Sequence, residues 1–332
     1  MANAGGLTMT TRRALLAGMA SAPLLPGLAS AQAAFPSRSI RIVVPFPPGG
    51  GTDVLARLLA GHYQQVFGQT AVVENRSGGA GRIGLREVQR AEPDGHTLMV
   101  TSTGGIMGLA GHGGERPFAV RDELTPITLI AAPAYVITIH PSIGVRDVAG
   151  LIALARQRPG QLSFGSSGTG AASHLAAELF ASMAGIELLH VPYRGTGPAL
   201  NDLVGGRISM MFAPPQTVAP AVASGQVTNI AITSERRSPL MPELPTAAET
   251  GLPGYSAVGW FALFGPRGMP TATTLRLAEE AGRGLTAQVT RERLAALGAV
   301  PEPMTPDAFN DYVNADIAKW QRLVRERNIP LE

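Results

Sequence analysis

Nine consecutive residues, Pro45-Phe46-Pro47-Pro48-Gly49-Gly50-Gly51-Thr52-Asp53, separate an apolar strand pattern at 40–44 from a helical pattern at 54–67. A helix start leaves backbone N–H groups without intrahelical partners, with the positive end of the helix dipole behind them. Glycines let the main chain approach a bound group closely. The segment is therefore suited to seat an anion or carboxylate from backbone alone, with no catalytic side chain. Four more segments offer related chemistry. Thr101-Ser102-Thr103-Gly104-Gly105 follows a strand pattern at 97–101 and supplies hydroxyls for an oxygen-rich ligand. Phe164-Gly165-Ser166-Ser167-Gly168-Thr169-Gly170 is a second strand, Gly/Ser/Thr turn and helix unit. His190-Val191-Pro192-Tyr193-Arg194-Gly195-Thr196-Gly197 and Phe212-Ala213-Pro214-Pro215-Gln216 are two further strand ends ahead of helices.

Single side chains leave alternatives open. Asp53 either stabilises the first turn of its helix by roughly 0.3–1 kcal/mol or meets a ligand. A carboxylate there repels another unless the ligand also carries an ammonium. Arg194 is a partner for a second carboxylate or a solvated loop arginine. Tyr193 offers a hydroxyl or an apolar wall, and His174 caps its helix or braces the loop before it. Enzyme motifs fail on context. Gly79-Ala80-Gly81-Arg82-Ile83-Gly84 has the G-x-G-x-x-G spacing, but 74–78 separate it from the strand, and Glu92 and Asp94 come too early for the ribose acid. It reads as a loop leading into a helix. Thr169 stands where G-x-S-x-G needs its last glycine. The six histidines (62, 96, 112, 140, 174 and 190) show no metal spacing. No catalytic residue, metal or cofactor is expected.

The elements that must position these segments alternate along the chain. Strand patterns fall at 40–44, 70–73, 97–101, 134–139, 163–165, 187–191, 208–212, 229–233 and 257–264. Helical patterns fall at 54–67, 83–90, 145–158, 173–184, 197–205, 217–224, 271–286, 288–297 and 306–328. Such alternation predicts open α/β sheets with mostly parallel strands, and no internal repeat is visible. The apolar stretch 127–139, broken by Pro133, and the run 260–264 have room to cross between two lobes. The expected division is 34–131 with 258–332 for lobe 1 and 132–257 for lobe 2, with a cleft between them.

Ahead of the first strand, Arg12-Arg13-Ala14-Leu15-Leu16 opens an apolar stretch to about Leu28 that Pro23 and Pro26 interrupt, too short to span a bilayer. Ala31 or Ala33 fits a cleavage site. Residues 1–33 read as an export signal, either of the twin-arginine type that it resembles or an ordinary secretory signal that carries two arginines; either way the mature chain is sent out of the cytoplasm, to a bacterial periplasm. About 300 residues then remain, room for two domains. Losing two arginines and no acid takes the net charge from +3 to +1. Charged residues are 15% of the chain, against ~25% in typical domains. No basic run or aromatic–basic interleaving suggests nucleic acid. With no cysteine, disulfides, thiolate metal sites and thiol catalysis are excluded, as is lipid anchoring at the cleavage site. No membrane insertion of the mature protein is expected.

The sequence resembles the tripartite tricarboxylate transporter substrate-binding proteins, the Bug family of periplasmic receptors. The likeness is carried by the run 40–53, Val73-Glu74-Asn75-Arg76 with Gly78-Gly79-Ala80-Gly81, and Pro93-Asp94-Gly95-His96-Thr97-Leu98. It continues through Ser173-His174-Leu175 with Glu178-Leu179-Phe180, Val191-Pro192-Tyr193-Arg194-Gly195, Asp202-Leu203 with Gly205-Gly206, and Gly259-Trp260-Phe261. It implies an α/β type II periplasmic-binding fold, two doubly wound lobes joined by two crossing strands, closing over a small mono- or dicarboxylate and docking on a membrane permease. Ligand contacts carried over are Phe46, Pro48, Gly49, Thr52 and Asp53, then Ser102 and Thr103, then Ser167, Gly168, Thr169 and Ser173, with Tyr193 and Arg194 beside them. The backbone of 49–52 and 168–170 adds Gly50 and Gly170. Pro47 and Pro48 stand where members often carry smaller residues, which stiffens the turn. The competing readings are an exported α/β enzyme and a periplasmic sensor that presents its ligand to a signalling partner.

Overall fold

The strand and helix patterns settle into two five-stranded sheets in the computed structural model, which describes residues 35–78, 81–110 and 119–329. The export signal at 1–33 and Gly79-Ala80 of the glycine motif lie outside the described residues. Sheet 1 is ordered β2-β1-β3-β10-β4, from β1 (Ile40–Val44), β2 (Ala71–Asn75), β3 (Thr97–Ser102), β4 (Leu124–Ala131) and β10 (Phe261–Pro266). Sheet 2 is ordered β7-β6-β8-β5-β9, from β5 (Val136–Ile139), β6 (Ser163–Ser166), β7 (Leu189–Pro192), β8 (Met210–Ala213) and β9 (Thr228–Ile232). The two orders are the same pattern written twice, a topological repeat that leaves no trace as a sequence repeat.

Each sheet carries one reversed strand. β10 runs antiparallel to β3 and β4, and β5 antiparallel to β8 and β9. Both are the first strand after the chain passes between sheets, so the passage sets their direction. β4 was expected only as the start of a crossing run, because Pro126 interrupts its pattern. Pro126 is accommodated beside a register shift in the pairing with β10.

Helices α1 (Gly51–Phe67) and α9 (Thr271–Thr286) cover one face of sheet 1 through Leu55, Leu59, Tyr63, Leu277 and Leu285. α2 (Arg82–Gln89), α3 (Thr103–Ala110), α4 (Val120–Glu123) and α11 (Pro306–Glu326) lie towards the other. β1 shows why: Ile40, Ile42 and Val44 join the first apolar layer and Val43 the second, a strand buried on both faces. In sheet 2, α5 (Val148–Gln157) and α6 (Ala172–Ala184) cover one face, and α7 (Thr196–Val204) and α8 (Pro215–Ala223) the other. α10 (Gln288–Ala296) follows α9. The layer holding Phe309, Val313 and Ile317 of α11 also holds Phe164 and Phe212 of sheet 2 and Phe180 of α6, so one apolar core runs through both lobes.

β4 ends at Ala131 and β5 begins at Val136, and five Cα steps reach at most about 18 Å. Ala131 pairs with Phe261, Ala134 bridges Val258, and Val136 pairs with both Ala213 and Ile232. Both sheets therefore turn the carboxyl ends of their parallel strands towards the same crossings, where ligands bind in open α/β sheets. Among the described residues, no helix is long and apolar enough to cross a membrane.

Candidate functional site

Five strand ends lead into helices at this shared edge, β1–α1 and β3–α3 in lobe 1 and β6–α6, β7–α7 and β8–α8 in lobe 2, while β2 leads to α2 through the longer loop that holds Gly78. The segment 101–105 was expected as a loop. Thr103 instead starts α3, and Gly105 is required there because a Cβ would collide with Thr101 Oγ1 and lie 3.1 Å from the Phe46 ring. Phe46 thus locks the first turn against the start of α3.

Two seams bring helix starts of opposite lobes together. A Cβ on Gly51, at the start of α1, would lie 3.2 Å from Phe261 Cζ and 3.7 Å from Leu297 Cδ1. The next residue, Gly298, would place a Cβ 2.8 Å from Gln216 Oε1 and 3.2 Å from Pro215 Cδ, at the start of α8. At the second seam, Thr103 of α3 and Ala172 of α6 line one small cavity with Tyr135, Val258 and Trp320.

The lobe-1 turn is braced by Asp53. Its Oδ2 accepts from the Gly49 N–H and from Arg57 Nε, both at 3.0 Å, and its Oδ1 accepts from Asn75 Nδ2 at 3.0 Å. Asn75 Nδ2 also donates to Phe46 O at 3.1 Å. Burial opposes the charge on Asp53, but hydrogen bonds from Arg57, Gly49 and Asn75 outweigh it and hold its carboxyl below the usual range. Asp53 is therefore turned into the protein as a clamp, with 5% of its side chain exposed. The Gly49 N–H, expected to meet an anion, is engaged by that clamp. The donors remaining in this turn belong to the N-cap Gly50 and to Gly51, Thr52 and Asp53 at the start of α1, which lack intrahelical partners by position. Thr52 is buried, while Pro48 and Gly50 are exposed.

Thr103 is also committed: its N–H donates to Trp260 O at 3.0 Å, and its Oγ1 accepts from the Trp260 N–H at 2.8 Å. The Trp260 indole donates to Asp316 Oδ2 at 2.9 Å, as does the indole of Trp320. Lys319 Nζ pairs with the other oxygen of Asp316 at 2.7 Å. The second crossing is pinned to both α3 and α11. Ser102, half-buried opposite Phe261, has no such commitment among the described residues.

In the lobe-2 turn the Ser167 N–H donates to Ser173 Oγ at 3.0 Å, and that of Gly168 to Ser166 Oγ at 3.2 Å. The Gly170 N–H donates to His174 Nδ1 at 3.0 Å. Gly168 and Gly170 hold φ of +140° and +75°, which favour glycine. Expected anion donors at Gly168 and Gly170 are thus occupied in shaping the turn. Within 167–170 the Thr169 N–H has no partner among the described residues, and the first turn of α6 adds those of Ala172 and Ser173. His174 braces the loop, one of its two expected roles. Tyr193 gives its hydroxyl to Asp202 at 2.8 Å, which with burial pushes its phenol up to about 12. Arg194 is exposed and forms no ion pair among the described residues.

Asn75 and Phe261 bear on the turns and were not singled out from sequence, and His190, which opens a candidate segment, was given no role of its own. Asn75 lay in view within the Glu74-Asn75-Arg76 motif, but its reach to Asp53 and Phe46 is tertiary. His190 Nε2 lies 2.7 Å from Ser166 Oγ, at the separation of a nucleophile and its base. Ser166 is 1% exposed and bonded to both N–H and C=O of Gly168. Among the described residues no carboxylate hydrogen-bonds His190, so the pair lacks the third member of a triad. No group of three metal-ligating side chains occurs among the described residues. The glycine motif serves packing: a Cβ on Gly84 would lie 3.0 Å from Pro45 Cβ and 3.2 Å from Arg76 O.

A sheet pair of this order, joined by two crossings with one reversed strand in each sheet, defines a two-lobed α/β receptor of the periplasmic-binding type. Residues 55–329 match the model of the tripartite tricarboxylate transporter family receptor, and the chain belongs to that family. Protein BugT of Bordetella pertussis is 34% identical over 299 residues, covering 90% of this chain and 92% of BugT. A solved structure described as R. palustris Rpa4515 with adipate is 35% identical, with a TM-score of 0.68, covering 89% of this chain and 99% of that one. An unliganded TctC solute binding protein from Polaromonas is 26% identical, with a TM-score of 0.80, covering 88% and 99%.

Proposed function

We propose that this protein is a periplasmic receptor that captures a small mono- or dicarboxylate between its lobes and presents it to the membrane permease of a tripartite tricarboxylate-type transporter. The observation that carries this reading is the pairing of helix starts across the crossings, α1 beside α8 and α3 beside α6, with the turns before α1 and α6 held by internal hydrogen bonds. Preorganised N–H donors at helix starts favour an anion, and charge-assisted hydrogen bonds are about twice as strong as neutral ones. The site therefore needs no arginine fork. The adipate found with the R. palustris relative supports a carboxylate as the ligand class.

In this reading the donors are the N–H groups of 51–53, Thr169, Ala172 and Ser173. Ser102 and Thr52 add hydroxyls, Phe46 and Phe261 form walls, and Pro48, Gly50 and Ser167 form the rim. Gly49, Asp53, Thr103, Gly168 and Gly170 act by fixing the turns. Tyr193 and Arg194 stand at the lobe-2 edge, where Arg194 meets the second carboxylate of a longer ligand. The lobes divide at 131/132 and 257/258, and closure about the two crossings takes the ligand out of water. Residues 1–33 direct export. The commitment of Ser166 to its own turn supports binding without turnover.

Calorimetry of the mature chain against C2–C6 mono- and dicarboxylates tests the reading. Saturable heat with a matching rise in melting temperature for at least one acid is expected. A panel that gives neither overturns it.

A further inference from the structure

We propose that His174 is a positioning residue that holds the lobe-2 turn in its anion-accepting shape only while its Nδ1 is unprotonated, so that carboxylate capture fails in acid. The proposal rests on the turn being half of the ligand seat.

The geometry is that of one turn hung from two rings. The Gly170 N–H donates to His174 Nδ1 at 3.0 Å, and Ser166 Oγ, which accepts the Gly168 N–H, pairs with His190 Nε2 at 2.7 Å. The two imidazoles stack on each other, with centroids 3.8 Å apart and planes 11° from parallel, and Phe164 stacks beyond His190 at 4.8 Å. An imidazole that accepts at Nδ1 carries its proton on Nε2. His174 Nε2 faces Glu178 Oε1 at 3.7 Å. A second proton can go only to Nδ1, where it sets one N–H against another. The Gly170 N–H then loses its acceptor and the turn must move, taking Thr169 and the start of α6 with it.

The charged surroundings allow that proton to arrive. Glu178, on the same helix, lies on the Nε2 side, and Arg327, after α11, donates to its other oxygen at 2.9 Å. Burial disfavours the charge on Glu178, but the bonds from His174 and Arg327 prevail and keep it ionised. From β7, His190 is pushed down to about 4 by burial first and by its neighbour His174 second, so it stays neutral through the ordinary imidazole range. β6 contributes Phe164 and Ser166, which carry no charge. Glu326 of α11 lies on the rim of a cavity of about 510 Å³ that opens onto the pair and meets the turn at Thr169. The cavity gives solvent a path to the pair from behind the turn. In lobe 1 the corresponding brace is Asp53, with Arg57 and Asn75, none of which changes charge in the range of about pH 5 to 8 where imidazoles do.

The test uses the mature chain with adipate and other C4–C6 dicarboxylates as probes. Affinity by calorimetry, corrected for the protonation of the free acids themselves, is expected to fall about tenfold or more between about pH 8 and pH 5, the net worth of one hydrogen bond. In His174→Asn, the amide oxygen takes the place of Nδ1 and cannot be protonated. This variant is expected to bind as the parent does near pH 8 and to lose the acid drop. Hydrogen exchange on the ligand-free parent, corrected for intrinsic pH dependence, reads the turn itself. Protection of the Gly170 amide falls in acid while that of the Gly49 amide holds. Unchanged Gly170 protection near pH 5, or an acid drop that persists in folded His174→Asn, overturns the proposal. If no probe binds at any pH, the ligand reading fails, and the exchange measurement on the parent still decides the role of His174.

Discussion

The turns before α1 and α6 occupy equivalent places in the two sheets, yet they are held by different chemistry. In lobe 1 a buried carboxylate gathers two neutral donors, a backbone N–H and an amide, and one guanidinium, none of which changes its charge in the acid range. In lobe 2 hydroxyls and two imidazoles do the same work. The same fold can thus shape a turn ahead of a helix by a charged carboxylate or by hydroxyl and imidazole acceptors, and the two solutions differ in what disrupts them.

The largest break in this comparison is Asp53→Ala. It strips three part-buried donors of their acceptor, and a loss of about 1–3 kcal/mol is expected, read as a lowered midpoint in urea unfolding together with lost ligand heat. Acid sharpens the contrast next. Asp53 has a lowered folded pKa, so its contribution is present above the ordinary carboxylate range and vanishes only as pH falls below it. His190 binds its proton less readily folded than unfolded, so stability declines from about pH 6.5 towards about 4. Hydrogen exchange across that window should loosen the 166–170 turn before the 45–53 turn, and simultaneous loosening would remove the distinction. Ser173→Ala removes the acceptor of the Ser167 N–H and should cost about 1 kcal/mol by chemical unfolding, less than Asp53→Ala because no charge is uncovered. Arg194→Ala should leave stability within about 0.5 kcal/mol while weakening dicarboxylates more than monocarboxylates. Equal affinities for both classes in parent and variant would take Arg194 out of the seat.

Most of the scaffold can be traced to local signals. The helix at 271–286 matches its pattern end to end, and every expected strand appears within a few residues of its predicted place. What escaped has a common cause. The reversed direction of β5 and β10 is set by where the chain changes lobe, which no local period encodes. α3 hides behind Gly104 and Gly105, whose helical state depends on Phe46 arriving from another element. At the candidate site, the residue types drew attention to turns that the fold brings to one edge, but not to which polar groups were already spoken for. Thr103, Ser173 and Asp53 are as polar in sequence as Ser102, and only partners brought by Trp260, Ser167 and Asn75 separate those that shape the turns from those left for a ligand. His190 lies 24 residues from Ser166 and reads as an ordinary strand residue until the sheet pairs them.

Both tryptophans of the chain donate to a single oxygen of Asp316, one of them on the second crossing and in backbone contact with Thr103. The intrinsic emission of the protein therefore originates almost wholly at its pivot. Capture of a ligand should register there as a change of intensity or wavelength in unlabelled protein, which makes lobe movement observable by stopped-flow mixing.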